Sequence, residues 1–343
     1  MTFLEGIFGN IDRAIIVAMG GGGDIVGASH LYNAFKRDGI RAYLASIPWE
    51  RYVVDPVPGP LSLNDFNGNI VLRDNYGVIL GETYVIHNGY IIVPQVSRVW
   101  RILKTPIIVY DSMEGYRSLL KGIVDTIRYF NADTIIGLDV GGDVLATGLE
   151  EELWSPLLDH LALSAIHDAV RITGTKGYIG VFGLGADGEL DRRTLEKYIA
   201  ELMEKKGFRG AIALSIDDYN LLRDIVEYAH TEASLVPLIV FNGKRGSHSI
   251  RNGTRKIELS LEMIMTLFFT VESVYNHSII AKALKDTQTI YEAKNKLNSL
   301  GVCTELDLEE EIKKLKMKKN TISARDVIII RRKLIDKIKN NRK

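Results

Sequence analysis

Three short segments of this chain combine glycine with carboxylates in a pattern suited to chemistry on an anion. They are Gly20-Gly21-Gly22-Gly23-Asp24, Gly137-Leu138-Asp139-Val140-Gly141-Gly142-Asp143 and Gly183-Leu184-Gly185-Ala186-Asp187-Gly188-Glu189. Each follows a β-branched run and precedes a stretch of helical length, and in open parallel sheets such loops form the ligand crevice. In the first, the amides of Gly21, Gly22 and Gly23 can approach an anion closely at a helix start, with Asp24 beside them as a catalytic group. In the second, Asp139 and Asp143 flank a Gly-Gly turn, so both can face one Mg²⁺ or Mn²⁺ ion, with Asp143 also placed for proton transfer. The third loop offers Gly183 and Gly185 to a substrate and Asp187 to the metal.

If the loops meet, Asp24, Asp139, Asp143, Asp187 and Glu189 surround one crevice, where bare carboxylates would raise one another's pKa. A divalent cation bridging them to an anionic substrate resolves that conflict. Two further candidates stand apart in sequence. Arg51, just before the rigid Asp55-Pro56-Val57-Pro58-Gly59-Pro60 loop, or Arg98 could clamp a phosphate or carboxylate, and Glu232 in Thr231-Glu232-Ala233-Ser234 could act as a general base or a metal ligand.

Other chemistries are disfavoured. No Gly-Lys-Ser/Thr follows the first loop, so it is not a Walker loop. The third loop matches Gly-x-Gly-x-x-Gly, but Asp187 and Glu189 would repel a pyrophosphate, so NAD is not favoured and an NAD(P)-dependent oxidoreductase ranks last. There is no Gly-x-Ser-x-Gly elbow and no His-Glu-x-x-His pair. His160 and His167 fall on an apolar helix and read as hydrogen-bonded structural residues, while Cys303 has no base beside it.

The elements that must position these residues are those of a doubly wound α/β fold, a mostly parallel sheet with helices on both faces. Strands are expected over 13–19, 41–46, 106–110, 134–138, 178–182, 211–215 and 237–241, and helices over 25–37, 114–130, 156–172, 192–206 and 217–230. Ser155-Pro156 marks a helix start, and Asn88-Gly89 a tight turn in a β-hairpin insertion at 69–95. From residue 260 onward the pattern is helical, over 261–275, 290–300, 305–319 and 323–340. The expected organisation is an α/β domain at 1–258, a helical part at 259–312 packed on it, and a basic helical tail at 313–343.

Composition sets the remaining bounds. With 343 residues, 46% of them apolar, the chain can bury a sizeable core, and its single cysteine points to a reducing, cytoplasmic setting. No apolar run is long enough to suggest a membrane span. Only two glutamines occur, a bias that fits a heat-adapted source. The 43 basic and 43 acidic side chains cancel, but residues 313–343 hold 13 Lys plus Arg against two Asp, a net of +11. An apolar stripe through Val327, Ile330, Leu334 and Ile338 implies that this tail docks, and its cations could contact nucleic acid.

The ordered set Gly20 to Ala28, Asp139 to Asp143, Ser155-Pro156-Leu157-Leu158-Asp159, Gly183 to Leu190, Thr231 to Ser234 and Thr304-Glu305-Leu306-Asp307 resembles an uncharacterised family, a domain of unknown function found in archaea and some actinobacteria. The resemblance spans roughly residues 10–311 and implies a shared crevice without naming its substrate. The second loop is also loosely similar to the Gly-Asp-Gly-Gly-Asn-Glu loop of D-glutamate cyclases, which are lyases. Asp143-Val144 replaces the Asn-Glu pair, so that activity does not carry over. The expected function is a divalent-metal-dependent enzyme acting on a small phosphorylated or carboxylated metabolite, nucleotide-like ones included, with phosphoryl transfer or hydrolysis slightly ahead of lyase chemistry. The alternative is a non-catalytic sensor of such a ligand whose basic tail binds nucleic acid or protein.

Overall fold

Strand-length runs that are apolar on both faces must be covered on both sides, and the computed structural model, which describes residues 3–319 and 321–340, shows how. In chain order the elements are α1 (Phe3–Phe8), β1 (Arg13–Ala18), α2 (Asp24–Arg37), β2 (Arg41–Ser46), β3 (Phe66–Leu72), β4 (Tyr76–His87), β5 (Tyr90–Ile92), α3 (Gln95–Leu103), β6 (Ile107–Tyr110), α4 (Gly115–Phe130), β7 (Thr134–Val140), α5 (Pro156–Thr173), β8 (Lys176–Phe182), α6 (Arg192–Glu204), β9 (Phe208–Ala213), α7 (Ile216–Val226), α8 (Val236–Phe241), β10 (Gly246–Ile250), β11 (Arg255–Leu259), β12 (Met265–Thr270), α9 (Val271–His277), α10 (Ile279–Leu284), α11 (Ile290–Ser299), α12 (Glu305–Lys316) and α13 (Ala324–Asn340).

The central sheet runs β3-β4-β6-β2-β1-β7-β8-β12-β9, with β5 paired to β4. Its centre, β6-β2-β1-β7-β8, is parallel throughout. The chain leaves β1 toward β2 and β6 on one side and later returns to build β7 and β8 on the other, which makes the β1/β7 boundary a topological switch point. Alternation along β1 serves two cores. Ile15, Val17 and Met19 pack with α4 and α5 residues such as Leu119, Ile123 and Leu161. Ala14, Ile16 and Ala18 pack with Ile25, Leu31 and Phe35 of α2 and with Val96 and Val99 of α3.

The hairpin insertion extends the sheet edge: β4 pairs antiparallel with β6, and Asn88 and Gly89 both take positive φ in the turn between β4 and β5. Four expectations need correction. Residues 237–241 are helix α8, with Pro237 in its first turn, because a short apolar run has no periodicity to separate strand from buried helix, and proline's missing N–H does no harm there. The stretch 261–275 is not one helix. A 3₁₀ turn, Leu261–Ile264, leads into β12, which lies antiparallel between β8 and β9, and only then does α9 begin. That pairing comes from distant strands, which local propensity does not report. It also removes the boundary expected at residue 258, since β12 is an interior strand of the main sheet. Finally, the strand expected at 211–215 runs from Phe208 to Ala213, because Ser215 caps α7 through a reciprocal pair with Asp218.

The tail docks as its stripe implied. Val327 of α13 packs with Leu308 and Ile312 of α12, and Tyr52, Trp154, Ile330 and Leu334 join them. Among the described residues no helix is long and apolar enough to cross a membrane.

Close packing of α2 on the sheet depends on Gly27, where an added Cβ would lie 2.4 Å from Val140 Cγ2 and 3.1 Å from Phe182 Cδ1. Gly27→Ala is therefore expected to destabilise the fold by about 1–3 kcal/mol through overpacking, read as a lowered Tm in thermal unfolding.

Candidate functional site

The loops after β1, β7 and β8 converge on the switch point, and α5 completes the cleft from one side. Its lining includes Gly20 to Asp24, Glu50, Arg51, Asp139, Asp143, Asp159, Asp187, Glu189 and Arg251. Glycine makes this crowding possible by leaving space for carboxylates. A Cβ on Gly20 would lie 2.7 Å from Asp24 Oδ2 and 2.9 Å from both Asp159 oxygens. A Cβ on Gly141, whose φ is +125°, would lie 2.2 Å from Asp187 Cγ. The cleft's free volume is about 70 Å³, room for several waters or ions and far below the ~300 Å³ typical of a small-molecule pocket.

Six carboxyl groups sort into two triads, Asp24 with Asp139 and Asp159, and Asp143 with Asp187 and Glu189. Within each triad, one ligand oxygen per residue lies within 4.8 Å of the others. All six are over nine-tenths buried, with Asp139 at 1% and Asp159 at 2% exposure. Asp143 Oδ2, Asp159 Oδ1 and Asp187 Oδ2 are buried with no hydrogen-bond partner. Such oxygens are costly unless a proton or a cation satisfies them.

Electrostatics follow from that burial. Burial pushes Asp24 up to about 7, opposed by the Gly20 amide that donates to its Oδ2 at 2.7 Å and by Arg51. Asp187 is likewise raised to about 7, by burial and then by the neighbouring Glu189. Burial and the charges of neighbouring carboxylates hold Asp139, Asp143 and Asp159 well above the usual range. Glu189 differs. Burial opposes its ionisation, but Arg255, the Ser155 hydroxyl and the amides of Trp154 and Ser155 outweigh it and hold the carboxyl low. Burial also raises Glu50, which accepts from the Gln95 amide at 2.7 Å, to about 7.

The structure redistributes the residues expected from sequence. Asp139 and Asp143 belong to different triads, and Asp187 sits with Asp143. Gly21, Gly22 and Gly23 line the cleft beside Asp24, their loop packed against Trp49 and Thr231. Arg51 also lines it, donating to the Gly20 carbonyl at 3.0 Å. Gly183 and Gly185 do not offer their amides to a substrate, because these donate to the carbonyls of Met265 at 3.1 Å and Gly141 at 2.6 Å. That internal bonding, together with the acids the same loop presents, removes the physical basis for a dinucleotide there. Glu232 is absent from the cleft lining and accepts from the Arg251 amide instead. Its neighbour Ser234 donates to the Gly23 carbonyl at 2.8 Å, so this motif braces the glycine loop.

Asp159 as a ligand candidate, Arg251 and Arg255 escape the sequence reading. Asp159 sits in the first turn of α5, and its place after Ser155-Pro156 was the one available signal. Ser155 occupies the N-cap position, yet its hydroxyl donates to Glu189 at 2.5 Å, and Glu305 of α12 accepts from the amides of Leu157 and Leu158, both at 3.0 Å. His160 is held by the carbonyls of Pro156 and Ala146, and Cys303 is a buried thiol that burial pushes up to about 12.

A family model matches residues 15–313, carrying all six clustered carboxylates, and its description is a protein of unknown function, DUF1152. The chain belongs to this family. A search of curated proteins finds no match to it. The matched span ends just before most of the basic tail, so the cleft lies in the shared domain and α13 lies outside it.

The raised pKa values give stability a definite pH dependence. Asp24 and Asp187 move from an ordinary 3.8 to about 7, so between those values the folded state binds more protons than the unfolded state. Their contribution is therefore complete below about pH 4 and lost as pH rises through about 7. Without divalent ions, Tm is expected to fall between pH 5 and pH 8, and to fall less in Asp187→Asn, as measured by calorimetry in chelator. Mn²⁺ should raise Tm more at pH 8 than at pH 5, because it displaces the same protons.

Proposed function

We propose that this chain is a divalent-metal-dependent enzyme acting on a small phosphorylated or carboxylated metabolite. What supports the reading is the set of three unpartnered, buried carboxylate oxygens in two adjoining triads. All-oxygen, carboxylate-rich coordination suits Mg²⁺ or Mn²⁺ rather than a thiophilic metal. Asp139 with Asp159, and Asp143 with Asp187 and Glu189, would hold the cations. Bound there, such cations lower the pKa of water and neutralise charge developing on an anionic substrate.

The chain's own groups supply the rest. Asp24, fixed by the Gly20 amide and poised near neutrality, is suited to moving a proton at its Oδ1, and Asp143 can serve the same purpose from the other triad. Arg51, which donates to the Gly20 carbonyl at 3.0 Å and lies 3.9 Å from Glu305 of α12, adds a cation to the cleft lining. Glu232 acts as a positioning residue through the backbone of Arg251. The small free volume favours hydrolysis or transfer at one substrate group that reaches the cations, over engulfment of a whole nucleotide.

Calorimetric titration with Mn²⁺ tests this directly. Asp139→Asn and Asp159→Asn are expected to weaken binding by at least roughly tenfold. In chelator both should be more stable than the parent, since each removes a repelled buried carboxyl. Equal stabilisation of parent and Asp139→Asn by the ion would sink the proposal.

A second reading, a non-catalytic ligand sensor whose tail binds nucleic acid, draws on Lys314, Lys318, Lys333 and Lys337, which line one exposed groove between α12 and α13. On that reading Lys333→Glu with Lys337→Glu weakens RNA binding in a gel-shift assay, and the logarithmic salt slope becomes shallower by about two. No RNA binding by the parent at low salt removes this reading.

A further inference from the structure

We propose that Arg51, Arg251 and Arg255 form a phosphoryl-binding subsite at the rim of the carboxylate cleft, so that the substrate is a phosphate ester and not a carboxylate. The inference rests on the metal-dependent reading for its catalytic sense, but its residues and its test are separate. All three guanidinium groups line one cavity of about 80 Å³. Arg51 and Arg251 border the carboxylate cleft as well, and Arg255 borders a third cavity of about 750 Å³. Neighbouring cavities thus share arginine walls, and the last of them lies within the ~300–1,000 Å³ range of small-molecule pockets.

Each arginine keeps a buried donor without a partner: Arg51 Nη1, Arg251 Nε and Arg255 Nε. Nearby acids do not complete them. Glu305 and Glu309 lie 3.9 and 4.0 Å from Arg51 Nη1, beyond hydrogen-bonding distance. Glu305 already accepts from the Leu157 and Leu158 amides, and Glu309 accepts from Trp49 Nε1 and the Gly59 amide through Oε2, while its Oε1, also buried without a partner, is the oxygen 4.0 Å from Arg51 Nη1. Arg255 donates to the Asp187 carbonyl at 2.7 Å, lies 3.2 Å from Glu189, and stacks on Trp154 with 4.7 Å between its guanidinium carbon and the ring centroid. These contacts fix its plane and leave Nε over. Arg251 is crowded: burial, then the like charges of Arg255 and Arg51, hold its guanidinium below the usual range.

The three cations share this cavity with Glu305 and Glu309, yet each keeps a buried donor over, and an anion with several acceptors would fill those donors together. A carboxylate offers two coplanar oxygens, which a single arginine fork satisfies. A phosphoryl group offers three terminal oxygens in a tetrahedral array and close to two negative charges, a match to donors arriving from the loop after β2 and from the segment joining β10 and β11. Its oxygens can meet the arginines on one side and a cation in the triads on the other, while the esterified group extends past Arg255 into the large cavity walled by α13 residues such as Ile328 and Arg332.

The test uses the full chain with inorganic phosphate as probe, by calorimetric titration and thermal shift, in chelator and with Mn²⁺. Phosphate is expected to bind the parent even in chelator. Arg251→Gln should lose affinity by roughly tenfold to a hundredfold. It should also show a higher Tm than the parent without phosphate, since an unpaired, repelled cation has been removed; a merely structural arginine would give a lower one. Arg51→Lys, which keeps the charge but replaces the fork that puts Nη2 on the Gly20 carbonyl and leaves Nη1 over, provides a second variant and should also lose phosphate affinity. Phosphate binding that appears only with Mn²⁺ and is indifferent to both variants overturns the subsite while leaving the metal reading intact. Phosphate binding lost in the variants, in a protein that binds no Mn²⁺, keeps the subsite and removes the metal reading. No phosphate binding in either condition, or acetate binding as tight as phosphate, overturns the assignment.

Discussion

Burying carboxylates beside one another is the constraint around which this molecule is built. Six acids from three loops and one helix share a cleft with about 70 Å³ of free space, and several of their oxygens have no protein partner. Burial, and then like charges at such separations, raise these pKa values, so without a cation Asp24 and Asp187 hold up to about pH 7 protons that an ordinary carboxyl releases near 3.8. An arrangement that disfavours its own folded state at pH 8 is unusual for a purely structural cluster. On the reading proposed above, a bound ion would relieve that repulsion.

The fold concentrates the acids through chain topology. The β1/β7 switch point brings the first two loops side by side, and β8 adds the third along the same sheet edge. Glycine then permits contact. Gly20 makes room for Asp24 and Asp159, and Gly141 makes room for Asp187. The four-glycine loop thus has a steric explanation that precedes any ligand, and its distance from the Gly-x-Gly-x-x-Gly pattern follows from serving carboxylates rather than a pyrophosphate.

The C-terminal helices reinforce the same region. Glu305 of α12 accepts from the first amides of α5, the helix that carries Asp159, and Glu309 binds Trp49 beneath the glycine loop. Arg251, between β10 and β11, and Arg255, which opens β11, line one cavity with these acids, and Glu232 accepts from the Arg251 amide. Arg331 of α13 stacks on the face of Trp154, as Arg255 does, so the tail outside the family domain still touches the rim of the site.

Much of this was legible in the residues alone. The alternation of apolar runs with amphipathic stretches determined a doubly wound α/β fold, because period and burial are local properties. Three acid-bearing glycine loops, each after a strand, marked the site, and Asp24, Asp139, Asp143, Asp187 and Glu189 do meet there. Tertiary structure alone decided three things. It placed β12 between β8 and β9, since strand pairing is set by partners some 50 to 90 residues away. It divided the acids into two triads and added Asp159, because an acid in a helix's first turn looks the same whether it faces water or a cleft. And it brought Arg251 and Arg255 beside Arg51, about 200 residues distant in sequence, which no spacing rule could anticipate because the charges are joined only through space.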